Sequence, residues 1–325
     1  MKTRLIWGIM GLVLGAFASS AHASYLMVTN YSSAGNPRSI MLFNKSDGSL
    51  VQQHWIVGDT SNVFNSQTES LAIGTDVWIS DQTQNKVFRY DLTNGTFKPA
   101  ITGSGTVNLS NIRGIECVGN TVFVANAGTG FGNAIVTFDA TTGAYIGNFA
   151  VQSGLAPWDV KYYNGELLVG NYSSSMTTGV SRIDRYDLSG NFLTNFYLRN
   201  NNQTTGMIGP QQMNIEASGN LLVGGFMNNS GTTQSGVYEL DPNGQTLGQY
   251  APGLGPRAGF RMDNGNIMFT KGDGVWSWDP STGTSTALLA GSNVNAKYVN
   301  EIPFMPEPGT LVLLVIGGLA LRRRG

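Results

Sequence analysis

The sequence predicts an all-β fold: a six-bladed β-propeller of four-stranded antiparallel blades, closed by a C-terminal strand that completes the first blade, with a short apolar helix at each terminus. Three observations carry this. Glycine makes up 43 of the 325 residues and only 12% are charged, while β-branched and aromatic residues stand between Gly, Asn and Asp clusters, a composition of strands and turns. One strand pattern recurs six times at a spacing of about 45–50 residues, the length of a propeller blade. The strand missing from the first repeat reappears at the end of the chain, as ring closure requires.

The chain opens with Lys2 and Arg4, an apolar run from Leu5 to Phe17, and then ASSAHA, a small-residue cleavage site. Residues 1–23 therefore read as a signal peptide cut after Ala23, and 24–304 as the propeller. Within it, strand b is an apolar triplet, a small residue and usually Asn or Asp: YLMVTN (25–30), DVWISD (76–81), TVFVAN (121–126), ELLVGN (166–171), NLLVGG (220–225) and NIMFTK (266–271). Strand c follows each: SIMLFN (39–44), KVFRYD (86–91), AIVTFD (134–139), RIDRYD (182–187), GVYELD (236–241) and GVWSWD (274–279). Such runs suit strands buried on both faces. Each then turns through an Asx residue and a glycine (NKSDG, DLTNG, DATTG, DLSG, DPNG, DPSTG), where the Asx side chain caps the turn and glycine supplies positive φ. The turns lack the alternating acidic ligands and closing Glu of a calcium loop.

Strand d comes next (LVQQHWIV, TFKPAITG, YIGNFAV, FLTNFYL, TLGQYAP, TSTALLA). Strand a precedes each later strand b: 69–74, 113–118, 158–163, 211–216 and 257–262. The sixth is KYVNEIP (297–303), beyond the last blade. In this arrangement strand a lines the central channel. The d–a and b–c loops emerge on one face, and long loops such as YSSSMTTGVS and FMNNSGTTQS make that face the place to look for function.

The stretch VWISDQTQNKVFRYDLTNG (77–95) resembles an NHL repeat, and VFVANAGTGFGNAIVTFDATTG (122–143) the related YVTN type. The resemblance implies a six-bladed propeller without naming a ligand. The last residues, 305–325, are MPEPGTLVLLVIGGLALRRRG. Their apolar part, 309–321, spans roughly 20 Å as a helix against a hydrocarbon core of about 30 Å, too short for a durable anchor. Pro306, Glu307 and Pro308, the apolar segment and Arg322, Arg323 and Arg324 together resemble the PEP-CTERM sorting signal. That resemblance implies an exosortase-type sorting protease as partner and transient contact with the inner membrane, the arginines staying cytoplasmic. It further implies a final place at the cell surface or in the extracellular matrix of a Gram-negative bacterium.

Removing Lys2, Arg4 and Arg322 to Arg324 from the 19 basic residues, and Glu307 from the 20 acidic ones, leaves 14 and 19, a body near −5. With no basic stripe, nucleic acid is not an expected partner. Cys117 is the sole cysteine and stands in a strand, so it is expected to be a small buried hydrophobe. His54 is the only histidine outside the signal peptide, which excludes a multi-histidine metal site. There is no G-x-S-x-G or H-E-x-x-H, and GTGFG (128–132) lies between strands rather than before a helix.

What remains is the channel mouth. Strands a open with Glu69, Arg113, Trp158, Gln211, Arg257 and Lys297, with Asp159 and Gln212 beside them; strands b end with Asn30, Asp81, Asn126 and Asn171. The expected ligand-binding set is Arg113, Trp158, Asp159, Gln211, Gln212, Arg257 and Lys297, with Trp158 offering a stacking plate for a sugar and the amides bonding hydroxyls. No catalytic residue or required cofactor is expected. The function this predicts is a non-enzymatic surface propeller binding extracellular polysaccharide or another matrix component. The alternative is a calcium-dependent hydrolase resembling gluconolactonases, with Ca²⁺ held by Asp81, Asn126, Asn171 and Asp159. That family's Glu-Gly-Pro opening is absent, since Ser70 and Leu71 follow Glu69.

Overall fold

The apolar triplets that mark strand b put side chains on both faces of a sheet, so each sheet needs a neighbour on either side. A computed structural model provides that arrangement. It describes residues 24–302, apart from 33–36, 105–106, 129–132, 152–154, 173–179, 200–204 and 229–232. Six four-stranded antiparallel sheets follow one another, each in the order a-b-c-d, as the sequence predicts for a six-bladed propeller. Blade two, for example, runs Gln67–Ile73, Asp76–Asp81, Lys86–Asp91 and Thr96–Ile101. A two-stranded hairpin, Gly103–Ser104 with Val107–Asn108, follows it and had no signal in the sequence.

Blade one closes the ring. Its strand a is Ala296–Ile302, paired antiparallel with Tyr25–Asn30 from Tyr25↔Ile302 to Asn30↔Ala296. The core lies between blades. Trp78 and Val87 of blade two pack against Ile112, Val122 and Phe138 of blade three, and Val28 and Phe43 of blade one against Met268 and Val275 of blade six. Each such fully buried side chain stabilises the fold by about 1.5–3 kcal/mol.

The c–d turns behave as their sequences predict. Asp91, Asp139, Asp187, Asp241 and Asp279 each accept a backbone N–H two residues on, at 2.8–3.0 Å. The glycine that ends each turn has positive φ; at Gly244, with φ +81°, a Cβ would also sit 1.8 Å from the Phe196 carbonyl oxygen.

Two expectations need adjustment. Cys117 is half-buried rather than buried, because it stands where strand a leaves the channel for the a–b hairpin; burial and neighbouring Glu116 still push its thiol up. Strand a begins one or two residues earlier than predicted in blades one to five, because its first turn of pairing is bulged. The signal peptide, the sorting motif Pro306, Glu307, Pro308 with Arg322, Arg323 and Arg324, and both terminal helices fall outside the described residues. Among the described residues no helix is long and apolar enough to cross a membrane.

Candidate functional site at the channel mouth

The inner strands are irregular where they open onto the mouth. In blade two the pairing runs Gln67↔Asp81 and then Ser70↔Ile79, three residues against two. The same surplus occurs between Ile112 and Ile115, Pro157 and Asp159, Pro210 and Met213, and Ala296 and Val299. The residues inside these bulges are Thr68 and Glu69, Arg113 and Gly114, Trp158, Gln211 and Gln212, and Lys297 and Tyr298. A bulge re-aims side chains that regular pleating would send elsewhere. Five of the seven predicted site residues lie in bulges, Asp159 directly follows one, and Arg257 precedes the unbulged strand Ala258–Arg261 of blade six.

Three of the five bulges are held by a hydroxyl of the preceding blade. Thr29 Oγ1 donates to the Thr68 carbonyl (2.9 Å), Ser80 Oγ to that of Arg113 (2.5 Å) and Thr270 Oγ1 to that of Lys297. These hydroxyls occupy the fifth position of strand b. Blades four and five have Gly170 and Gly224 there, and at Gly224 the Arg257 carbonyl fills the space a side chain would need.

The bulges sort the predicted residues into two layers. The outer layer surrounds a cavity of about 370 Å³ lined by Trp158, Gln211, Arg257 and Lys297 among others. Lys297 Nζ donates to Ser66 Oγ (2.8 Å), Thr68 Oγ1 (3.2 Å) and Gln82 Oε1 (3.1 Å), and lies 4.5 Å from the Tyr31 ring centre. Burial, then repulsion from Arg257, push its ammonium down to about 7; Asp81 opposes this and Arg113 adds to it. Arg257 donates to Asn295 Oδ1 (2.5 Å) and the Ala296 carbonyl (2.9 Å), near the rings of Tyr31 and Phe226. The Arg113 guanidinium lies 3.5 Å over the Trp158 ring, so one face of the predicted stacking plate already carries a cation.

The inner layer plugs the channel. Glu69 accepts from Ile115 N, Gln212 Nε2 (3.2 Å) and Asn300 Nδ2 (2.6 Å). Gln212 Oε1 accepts from Val299 N (2.7 Å), and Asp159 Oδ2 from Met213 N (2.7 Å). Asp159 and Gln212 thus lie below the mouth cavity and tie strands a together. Burial raises Glu69 to about 7, with Lys161 opposing; Asp159 is held well above the usual carboxylate range by burial and by Glu69.

The side chains of the calcium alternative are already engaged. Asp81 accepts from the backbone N–H groups of Asn65, Ser66, Thr83 and Gln84, Asn126 from Ser110 N, and Asn171 donates to Asp184. Asn30 likewise accepts from Asn295 N. In blades one to three the last residue of strand b therefore pins a loop, and none of Asp81, Asn126, Asn171 and Asp159 lines the cavity. Among the described residues no group of three or more His, Cys, Asp or Glu is placed to hold a metal ion. His54 Nδ1 meets Ser39 Oγ at 3.0 Å, but Ser39 is fully buried and not offered to a substrate.

Sequence reasoning missed Tyr31, Gln82 and Phe226. All three occupy the position just after strand b, and Tyr31 and Gln82 stand one residue beyond Asn30 and Asp81. A larger cavity, about 660 Å³, opens on the opposite face, but both of its cations are already paired: Lys45 with Glu301 at 2.9 Å, and Arg261 with Glu239 at 2.9 Å and with Glu216.

No family model and no curated protein sequence matches the chain. Solved structures do resemble it. A chain of a nidogen–laminin complex shares 14% identity at a TM-score of 0.58, covering 86% of this chain and 98% of that one. A streptogramin B lyase shares 14% (TM-score 0.53; 85% and 91%), and a putative 6-phosphogluconolactonase from Bacteroides fragilis 12% (TM-score 0.53; 88% and 99%). At such identities the likeness shows the propeller fold alone.

Proposed function

We propose that this propeller is an exported, surface-sorted binding protein without catalytic activity, and that it holds an extracellular polysaccharide or a similar matrix component at the channel mouth. The observation that carries the reading is the mouth cavity itself. It joins aromatic rings from Tyr31, Trp158, Phe226 and Tyr298 to hydroxyl and amide side chains, the combination that packs on the faces of a sugar and bonds its edges. Export rests on the signal-peptide pattern of 1–23, and sorting on the Pro306-Glu307-Pro308 tail, which an exosortase-type protease would cut after transient insertion in the inner membrane. Lactone hydrolysis draws less support from the mouth, since none of Asp81, Asn126, Asn171 and Asp159 lines its cavity.

The test is binding of the full chain, purified in detergent, to a panel of polysaccharides, with Trp158→Ala as the site variant. Affinity reduced at least tenfold in the variant is the expected result. Unchanged affinity would remove the mouth from consideration.

A further inference from the structure

The body carries a net charge near −5, yet its mouth cavity has no Asp or Glu in its lining. Two cations do line it, Lys297 and Arg257, and Arg113 stacks on a third lining residue, Trp158. Neither Lys297 nor Arg257 takes part in any of the eleven ion pairs among the described residues. Both are held in place by neutral oxygens: hydroxyls and an amide around Lys297, an amide and a backbone carbonyl around Arg257. Lys297 is only 7% exposed. Asp81 acts on Lys297 only from outside the cavity, with its oxygens taken by four backbone N–H groups. A buried cation without a paired counter-ion is costly, and an arrangement that sets it beside half-buried Arg257 around one cavity is completed by a bound negative charge.

Gln211 adds an independent feature. It lines the same cavity, is 2% exposed, and its Oε1 has no hydrogen-bond partner in the structure. A buried acceptor without a partner, on a side chain that lines the same cavity as two cations, calls for a ligand that brings a donor as well as an anion. A simple halide or metal oxyanion brings no such group. An acidic sugar brings both: the acid group for the cations, and hydroxyls that donate to the amide.

We infer that the mouth cavity is a site for an acidic sugar unit, its carboxylate or sulfate held between Lys297 and Arg257 and a neighbouring hydroxyl donating to Gln211 Oε1. The inference rests on the proposed function, and narrows the ligand from polysaccharide in general to acidic polysaccharide. The depressed basicity of Lys297, set first by burial and then by repulsion from Arg257, accords with it, because a bound anion offsets both. The opposite-face cavity makes no such demand, since its lysine and arginine already have carboxylate partners.

Calorimetric titration of the full chain in detergent separates the possibilities. The probes are polygalacturonate oligomers, the same oligomers as neutral methyl esters, and inorganic sulfate. The expected result is binding to the acid oligomer at least tenfold tighter than to the ester, weakening with added salt, and reduced at least tenfold in Lys297→Met and in Arg257→Gln. A thermal melt of each variant confirms that it is folded, and a galacturonate-dependent rise in the melting temperature of the unsubstituted chain tests the site with no variant at all. Equal binding to acid and ester would overturn the anionic assignment and leave the polysaccharide reading in place. Binding of sulfate alone, lost in Lys297→Met, would keep the anion site and overturn the polysaccharide reading. No binding of any probe, with no shift in melting temperature, would overturn both.

Discussion

The two glycines at the fifth position of strand b offer a matched pair of perturbations. A Cβ on Gly170 would lie 3.6 Å from the Gln211 carbonyl oxygen, ordinary contact. A Cβ on Gly224 would lie 2.3 Å from the Arg257 carbonyl oxygen, 2.4 Å from its carbon and 2.8 Å from Ala258 N, all backbone atoms that cannot rotate away. Relieving that overlap moves the opening of the innermost strand of blade six by close to an ångström. It also stretches the bond by which the Arg257 carbonyl accepts from Gln212 N, now 3.2 Å. Overpacking of this kind costs about 1–3 kcal/mol, and a net hydrogen bond about 1 kcal/mol. Gly224→Ala should therefore destabilise the body by about 2–4 kcal/mol, lowering its melting temperature by roughly 4–16 °C for a domain of this size. Gly170→Ala should be neutral, or stabilise by up to about 1 kcal/mol through the unfolded chain. Calorimetric or circular-dichroism melts of both variants, with denaturant titrations to confirm the free energies, measure the contrast. Variants that melt together, whether both near the parent or both well below it, would refute the reasoning.

Two further predictions concern pH. Glu69 has a folded value of about 7, above its usual 4.5, so between those values the folded protein keeps a proton that the unfolded chain has released; this contribution to stability is present below about 4.5 and lost as pH rises through 7. At about 1.4 kcal/mol per pH unit, Glu69→Gln should gain about 3 kcal/mol on the parent between pH 4 and 8, in paired melts that leave Asp159, Glu116 and Lys161 in place; parallel profiles would contradict it. Lys297 behaves oppositely. Its folded value of about 7 lies below the usual 10.5, so the parent gains stability as pH rises between the two, and Lys297→Met should be most stabilising relative to the parent below pH 7 and lose that advantage by pH 10. A difference that stays constant with pH would show that Lys297 is not held against its charge.

The parts of the fold legible in the sequence are those where burial and turn chemistry leave a compositional mark. Strands b and c are buried on both faces and read as apolar runs, and each Asx-to-Gly turn has only one economical conformation. Ring closure was legible from a deficit, one strand too few at the start and one too many at the end. Bulges leave no such mark: a surplus residue such as Gln212 or Gly114 looks like any other in an inner strand. The residues that open the inner strands could nevertheless be singled out, because a polar or aromatic residue opening an otherwise apolar strand is conspicuous. What the pattern did not supply was depth. Trp158 and Asp159 are adjacent in sequence, yet one lines the mouth cavity and the other lies in the plug below it. For the same reason Asn30 and Asp81 drew attention while their neighbours Tyr31 and Gln82 face the cavity; the side chain of a strand's last residue and that of the next residue point opposite ways.

The pairing of Tyr25–Asn30 with Ala296–Ile302 has a consequence for the order of events as the chain folds. Bringing those two segments together directly from a random coil would cost about 5 kcal/mol in loop entropy, beyond the constant term, before a single contact formed. Every other inner strand pairs with one only a few residues away, at almost no such cost. The inexpensive route is to fold the five local blades first, letting each new inter-blade core bend the chain further round, until the ends arrive already close together. Blade one is then the last to be completed. Until that moment the chain is an open arc with two unsatisfied strand edges, the state in which it is most exposed to aggregation and to a second copy of itself.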